Sequence, residues 1–243
     1  MKGHDIYTQE DRKNCRVLFM RVVVRIGGSV VASPPNPQLI KEYAEAVNCL
    51  RARGHELVII VGGGAPARQY IQLAKDVGLT EQEQDEVAIT VSRLFAQLLA
   101  MKVGGSGWKN VPTSPEVARE LLAERGVVVM GGLKPGMTTD TVAAMVASEV
   151  GADLIVKATD QDGVYTKDPR KHADARKIDA LTFDELGQLM EQDRHKAGIH
   201  QIIDPEAVRL LKAKRIKTVV VNGADPENLV AAIEGKKVGT TLQ

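Results

Sequence analysis

The stretch Leu57-Val-Ile-Ile-Val-Gly62-Gly63-Gly64-Ala-Pro-Ala-Arg68 leaves a chain few ways to fold. Five consecutive branched apolar residues fit a strand covered on both faces, three glycines turn the backbone sharply, and the alanine-containing segment opens a helix. That order makes an anion-binding arrangement. Glycine lets the backbone approach an anion closely, and the first N–H groups of the helix have no intrahelical acceptor. The same run also fits a plain strand-to-helix connection, so the rest of the sequence has to decide between the two.

At 243 residues the chain can bury a large core. A net charge of +1 gives no electrostatic reason to expect nucleic acid or an anionic membrane as partner. Aromatic residues make up 3 % of the chain, with Trp108 the single tryptophan, so platforms for stacking bases are not supported. Cys15 and Cys49 are spaced for neither a zinc site nor a disulfide framework, and reduced thiols are expected. No apolar run approaches the roughly 20 residues of a membrane span. Residues 1–19 are polar and charged, without the apolar stretch of a leader. A cytoplasmic location follows as the expectation, with 1–19 as an N-terminal extension and 20–243 as a single domain.

From Arg21 the sequence reads as alternating strands and helices. Arg21–Ile26 is a strand closed by the turn Gly27-Gly28-Ser29, and Ile40, Tyr43, Ala44, Val47 and Leu50 fall at helical spacing ahead of Gly54. The opening strand comes next. Thr80-Glu81-Gln82-Glu83 is a capping box for a long helix to about Met101, with a glycine-rich loop expected over 102–111. Ser114-Pro115 starts a helix that Gly126 ends, Val127–Met130 is a buried strand, and a helix is expected from about Thr141 to Val150. After a strand at 153–158 comes a turn-rich acidic stretch through Pro169. Helices capped at Thr182, Asp204 and Asp225 follow, with a strand at 217–221 and a closing edge strand at 238–242. The pattern predicts a three-layer α/β/α sandwich around a mainly parallel sheet.

Three glycine turns, at Gly27-Gly28, Gly62–Gly64 and Gly131–Gly136, follow three separate strands. In open α/β sheets ligands bind outside the carboxyl ends of strands, so together these turns could surround several phosphates. The common phosphate motifs do not fit. Met137 stands where a Walker A loop needs lysine, Gly27-Gly28 lacks the third glycine of the dinucleotide fingerprint, and the protein-kinase motifs are absent.

Arg25-Ile-Gly27-Gly28-Ser29, Val61–Gly64 with Arg68, Met130–Asp140 and Asp162-Gly163-Val164-Tyr165 with Asp168-Pro169 resemble the amino acid kinase family, and within it the archaeal-type uridylate kinases. The likeness runs from about Met20 to Leu242. It implies ATP-dependent conversion of UMP to UDP in pyrimidine nucleotide synthesis, Mg²⁺ accompanying ATP, and a homo-oligomer, a hexamer. No metal-ligating cluster is read from the sequence.

Position by position, the resemblance implies that Gly28, Ser29, Gly64, Arg68, Thr159, Asp160, Tyr165 and Asp168 meet ATP. It implies that Gly63, Asp85, Leu133, Lys134, Pro135, Gly136, Met137, Thr138 and Thr139 meet UMP, Asp85 holding the ribose hydroxyls. The N-terminal part thus carries the acceptor site and the C-terminal part the ATP site. Arg25, Asp160 and Lys196 are the implied catalytic residues, with Asp160 orienting a cation such as Lys157 or Lys196. A side chain at Gly63 is expected to fill the space of the phosphate in transit and leave the fold intact.

The chain departs from the pattern at Arg25, where many relatives carry lysine, and at Asp160, where archaeal relatives often carry asparagine. Lys134 and Met137 sit inside the acceptor loop. Other acceptors therefore stay open: isopentenyl phosphate, acetylglutamate or carbamate on the same fold, or a nucleotide-binding or storage protein without turnover. The His195/His200 spacing matches no metal-binding helix motif.

Overall fold

Of the chain, residues 19–192 and 202–243 are described in the computed structural model. The elements are β1 (Arg21–Ile26), α1 (Gly28–Val31), α2 (Pro37–Ala52), β2 (Glu56–Val61), α3 (Gly64–Asp76) and α4 (Glu81–Gly104). A 3₁₀ turn at Ser106–Trp108 leads to α5 (Pro115–Arg125), β3 (Val127–Met130), α6 (Thr139–Val150) and β4 (Leu154–Thr159). The short strands β5 (Val164–Tyr165), β6 (Lys177–Ile178) and β7 (Ala180–Leu181) precede α7 (Phe183–Gln192). Then come α8 (Pro205–Lys214), β8 (Lys217–Asn222), α9 (Glu227–Ile233) and β9 (Thr240–Leu242).

The main sheet runs β3-β2-β1-β4-β8-β9-β7, and its first five strands are parallel. Chain order reverses beside β1, where β2 lies on one side and β4 on the other. That is where an open α/β sheet leaves a crevice at its carboxyl edge. Alternation along the strands sorts two cores. Val22, Val24, Ile26, Leu57, Ile59 and Val61 pack under α2, α4 and α9, while Val23, Val58, Ile60 and Ile155 pack under α5, α6 and α8. Three layers result.

Helix starts follow the caps. Asn36, Thr80, Ser114, Thr138 and Asp204 each accept a backbone N–H of the first turn, and Gly126 and Gly151 end α5 and α6 in the left-handed region. Several boundaries differ from those expected. Gly28–Val31 is a short helix rather than a turn, and α4 continues to Gly104, with a 3₁₀ turn beyond it instead of an open loop. The acidic stretch after β4 contains β5, which pairs antiparallel with β6. The last strand is not an edge: β9 lies between β8 and β7, and β7 closes the sheet.

Helix α4 is long and apolar enough on average to cross a bilayer, although Ser92, Arg93, Gln97 and Lys102 interrupt its apolar residues. Its 24 residues reach a mean hydropathy of 1.4 over their most apolar window. Here that character serves the fold. Val91, Phe95, Ala96 and Leu99 are buried in the core, and the Arg93 guanidinium donates to the carbonyls of Gly132 and Leu133, both at 2.9 Å.

The first two glycine turns meet backbone to backbone. A Cβ on Gly28 would lie 2.0 Å from the Gly64 nitrogen, and one on Gly64, whose φ is +61°, would lie 2.3 Å from the Gly28 carbonyl oxygen. Ser33 stitches them together, donating to Gly28 O at 3.0 Å and accepting from Ala65 N at 2.6 Å. The third turn docks on α4 instead: Gly132 N donates to Ser92 Oγ at 2.8 Å, and a Cβ on Gly131 would lie 2.7 Å from Arg93 N.

Gly28→Ala is therefore expected to lower unfolding stability by about 1–3 kcal/mol, whereas Gly107→Ala, which has no atom within 4 Å of its added carbon, should not. Urea unfolding reads both, and an unchanged midpoint for Gly28→Ala would contradict the contact.

Candidate active site

Strands β1 and β4 run in register with Arg25 opposite Lys157, and paired residues of a sheet point to the same face. A charged residue inside a buried strand requires a partner. Lys157 is 3 % exposed. Its partner is Asp140, in the first turn of α6, which forms ion pairs with Lys157 Nζ and, at 2.8 Å, with Arg25 Nε. Arg25 also donates to Thr139 Oγ1 at 3.0 Å. The Arg25 N–H does not aim at the nearby Asp140 oxygen, so Arg25 Nε and Asp140 Oδ1 are buried without a hydrogen bond despite their ion pair.

Burial pushes the Asp140 carboxyl up, but the charges of Arg25 and Lys157 outweigh it and hold the group below the usual carboxylate range. The Lys157 ammonium is pulled down to about 8, first by burial and then by the neighbouring Arg25 charge, with Asp140 opposing both. At neutral pH Asp140 thus lies between two cations at the sheet's switch point, and Asp204 is a second carboxylate acting on Lys157. Fixed cations there suit an incoming phosphate.

Asp140 is held from a further side. Asp204, the N-cap of α8, accepts from Ala207 N at 2.9 Å, from Thr138 Oγ1 at 2.5 Å and from Thr141 Oγ1 at 2.9 Å. Thr138 in turn caps α6, accepting from the Asp140 and Thr141 amides. The two helix starts are therefore joined through side chains.

The residues expected to meet UMP lie together around β2, β3 and the start of α6. Asp85 of α4 accepts from Gly136 N at 2.7 Å, which pins the loop carrying Leu133, Lys134, Pro135, Gly136 and Met137. Arg93, absent from the expected set, holds the base of that loop. The Thr138 hydroxyl proton goes to Asp204, whereas the Thr139 oxygen accepts from Arg25 and keeps its own proton to donate.

Residues expected at ATP lie around β4 and β5. Thr159 Oγ1 donates to Asp160, Tyr165 donates to Asp162 at 2.6 Å, and Asp168 accepts from Arg170 N. Gly64 packs on Gly28, while Ser29 and Arg68 are exposed beside them.

Two expectations need correction. Among the described residues the cation held by Asp160 is Arg170, at 3.3 Å, rather than Lys157, whose carboxylate partner is Asp140. A Cβ on Gly63 would meet Ala67 Cβ at 2.6 Å and approach Ser92 N to 3.5 Å, so a larger side chain strikes the α3/α4 packing rather than empty ligand space. Lys196, His195 and His200 lie outside the described residues.

The profile of the amino acid kinase family matches residues 20–222. The chain belongs to that family. Among the amino acid kinases similar to it, a uridylate kinase from Methanothermobacter thermautotrophicus is 40 % identical over 223 residues, covering 92 % of this chain and 99 % of that one. A uridylate kinase from Methanothrix thermoacetophila is 42 % identical over 224 residues, covering 92 % and 100 %. The crystal structure of uridylate kinase from Archaeoglobus fulgidus superposes with a TM-score of 0.83 at 36 % identity, over 92 % of this chain and 100 % of that one. UMP kinase from Bacillus anthracis shares the fold, with a TM-score of 0.77 at 22 % identity over 93 % and 96 %.

Removing the shared carboxylate leaves two cations side by side. Asp140→Ala is expected to cost about 3–5 kcal/mol of stability near pH 7. The sign of the pH dependence follows from Lys157. Without its carboxylate the buried amine loses its proton at lower pH than in the wild type, so the variant gains stability with rising pH before the wild type does. The deficit should narrow as the pH approaches 8 and be flat above it. Unfolding curves at several pH values read this, and a deficit independent of pH from 6 to about 9 would contradict the paired arrangement.

Proposed function

We propose that this amino acid kinase transfers the γ-phosphoryl group of ATP to UMP, giving UDP, as a step of pyrimidine nucleotide synthesis. The observation that carries the reading is the cluster at the switch point, where glycine turns from two strands pack on each other beside two in-register cations paired with one carboxylate. The relatives named uridylate kinase support the choice of acceptor.

A monophosphate oxygen attacks the γ-phosphorus in line, and the β–γ bridging oxygen leaves with ADP. An ionised phosphate needs no general base, so the chain's task is alignment and charge. Arg25 and Lys157 put positive potential beneath the transferring group, with Asp140 fixing their positions. Backbone N–H groups at the starts of α1 and α3 are the donors this reading assigns to the phosphates. On the acceptor side are Gly63, Asp85 and Leu133–Thr139, and on the donor side Gly28, Ser29, Gly64, Arg68, Thr159, Asp160, Tyr165 and Asp168.

Mg²⁺ is read as the ion that arrives with ATP. Among the described residues no three His, Cys, Asp or Glu side chains converge into a metal cage, and an ion held by phosphate oxygens and water needs none. When bound it neutralises phosphate charge.

Residues 20–243 are read as one domain working in the cytoplasm as a homo-oligomer, a hexamer. Supporting an assembly, Tyr70, Leu73 and Val77 of the α3 segment and Leu94 and Leu98 of α4 are exposed apolar side chains.

A coupled assay offering ATP and Mg²⁺ with UMP, CMP, dUMP, isopentenyl phosphate, acetylglutamate or carbamate tests the acceptor. UMP is expected to give the highest kcat/KM. Preference for another acceptor, or ATP binding without turnover, would contradict the reading. Asp85→Ala should raise the KM for UMP far more than that for ATP, and equal changes would contradict its side. In the same assay kcat/KM should fall as the pH rises through about 8, where Lys157 loses its proton.

A further inference from the structure

Asp204 belongs to no strand end and no glycine turn, yet it joins three parts of the site. Its Oδ1 accepts from Ala207 N at 2.9 Å, the N-cap bond of α8, and from Thr141 Oγ1, also at 2.9 Å. Its Oδ2 accepts from Thr138 Oγ1 at 2.5 Å and from Thr141 Oγ1 at 3.1 Å. Capping α8 needs a single oxygen. A serine or threonine meets that need as well as an aspartate. The second oxygen and the negative charge are directed at α6, at the two hydroxyls that flank Asp140.

Asp140 can pair with both Arg25 and Lys157 only if the first turn of α6 stands at the right distance and rotation. Thr138 sets that turn from inside, as its cap. Asp204 fixes Thr138 and Thr141 from outside, and α8 is in turn packed on α6 through Val208 and Leu211 in the same core. A small cavity between these elements is lined by Arg25, Asp140, Lys157, Ile203, Ala207 and Thr218.

We propose that Asp204 is a positioning residue for phosphoryl transfer, fixing through Thr138 and Thr141 the α6 turn on which Asp140 holds Arg25 and Lys157. The inference rests on the reading of the site as a phosphotransferase. In it Asp204 acts through Thr138 and Thr141. It also makes the acceptor loop and the cation pair one unit, because Thr138 ends the loop and starts the helix.

The charge of Asp204 has a second consequence. Among the described residues the titratable groups that act on Lys157 are Arg25 from β1, Asp140 from α6 and Asp204 from the start of α8. Asp204 favours the protonated amine, so removing its charge should let Lys157 lose its proton at lower pH. A capping role alone would not move that titration.

The test compares the wild type with Asp204→Asn and Asp204→Ser. Both variants keep an oxygen for the α8 cap, and neither keeps the pair of charged oxygens. Three readouts are needed: thermal unfolding, kcat and KM for UMP and ATP across pH, and the Lys157 side-chain pKa by NMR of the free protein. Both variants are expected to fold, to lose about ten- to a hundredfold in kcat with little change in the KM for ATP, and to show the alkaline limb and the Lys157 titration moved to lower pH. Folded variants with kcat within about twofold of wild type and an unmoved Lys157 titration would overturn the proposal. Loss of the fold in both would overturn it too, making Asp204 a residue of stability alone. Absence of UMP turnover in the wild type would instead refute the functional reading, and the NMR titration would still decide whether Asp204 acts on Lys157.

Discussion

Two cations on neighbouring strands, facing the same side of a buried sheet, would not fold there unaided. At about 5 Å in a protein's effective dielectric, like charges repel by roughly 3 kcal/mol, before the cost of removing each from water. Asp140 makes the arrangement possible by pairing with both Arg25 and Lys157. Its place is set by α6, whose start is fixed by Thr138, and by the parallel pairing of β1 with β4, which brings the cations into register. The sheet's topology, a helix cap and the charge of the site meet in one contact.

The glycine turns depend on the same geometry. Gly27 N donates to Ala158 O at 2.8 Å, which ties the first turn to β4, and Gly62 N donates to Ile26 O at 3.0 Å, which ties the second to β1. Close packing of Gly28 on Gly64 then leaves no room for a side chain at either glycine. These glycines are needed for packing between loops as well as for any approach of phosphate. A loss of activity on replacing one of them therefore does not by itself report on a ligand.

Much of this was legible in the sequence. Buried strands announced themselves as runs such as Leu57–Val61 and Val127–Met130, and helices began where Thr80, Ser114 and Asp204 could cap them. Strands β5, β6 and β7 have two residues each, too few to carry a period, so the acidic stretch read as loop and β9 read as an edge. In the site, a displacement of two residues mattered. Starting α6 at Thr141 leaves Asp140 in a loop, whereas capping by Thr138 puts it in the first turn, over Lys157. A signal was present. Lys157 interrupts the apolar run Leu154-Ile-Val, and a lysine in a buried strand implies a carboxylate nearby. Sequence spacing could not choose between Asp140 and Asp160 for that role. The roles of Arg93 and Asp204 depend on helices meeting loops about 40 and 65 residues away in sequence, and no local pattern encodes such contacts.

The central claim is that Asp140, Arg25 and Lys157 act as one unit in phosphoryl transfer. A double-mutant cycle of Asp140→Asn and Lys157→Met, read as kcat/KM for transfer from ATP to UMP with all variants confirmed folded, tests it most directly. The account predicts that the double variant is scarcely worse than the poorer single variant, since either change already dissolves the unit. Losses that simply multiply would contradict it.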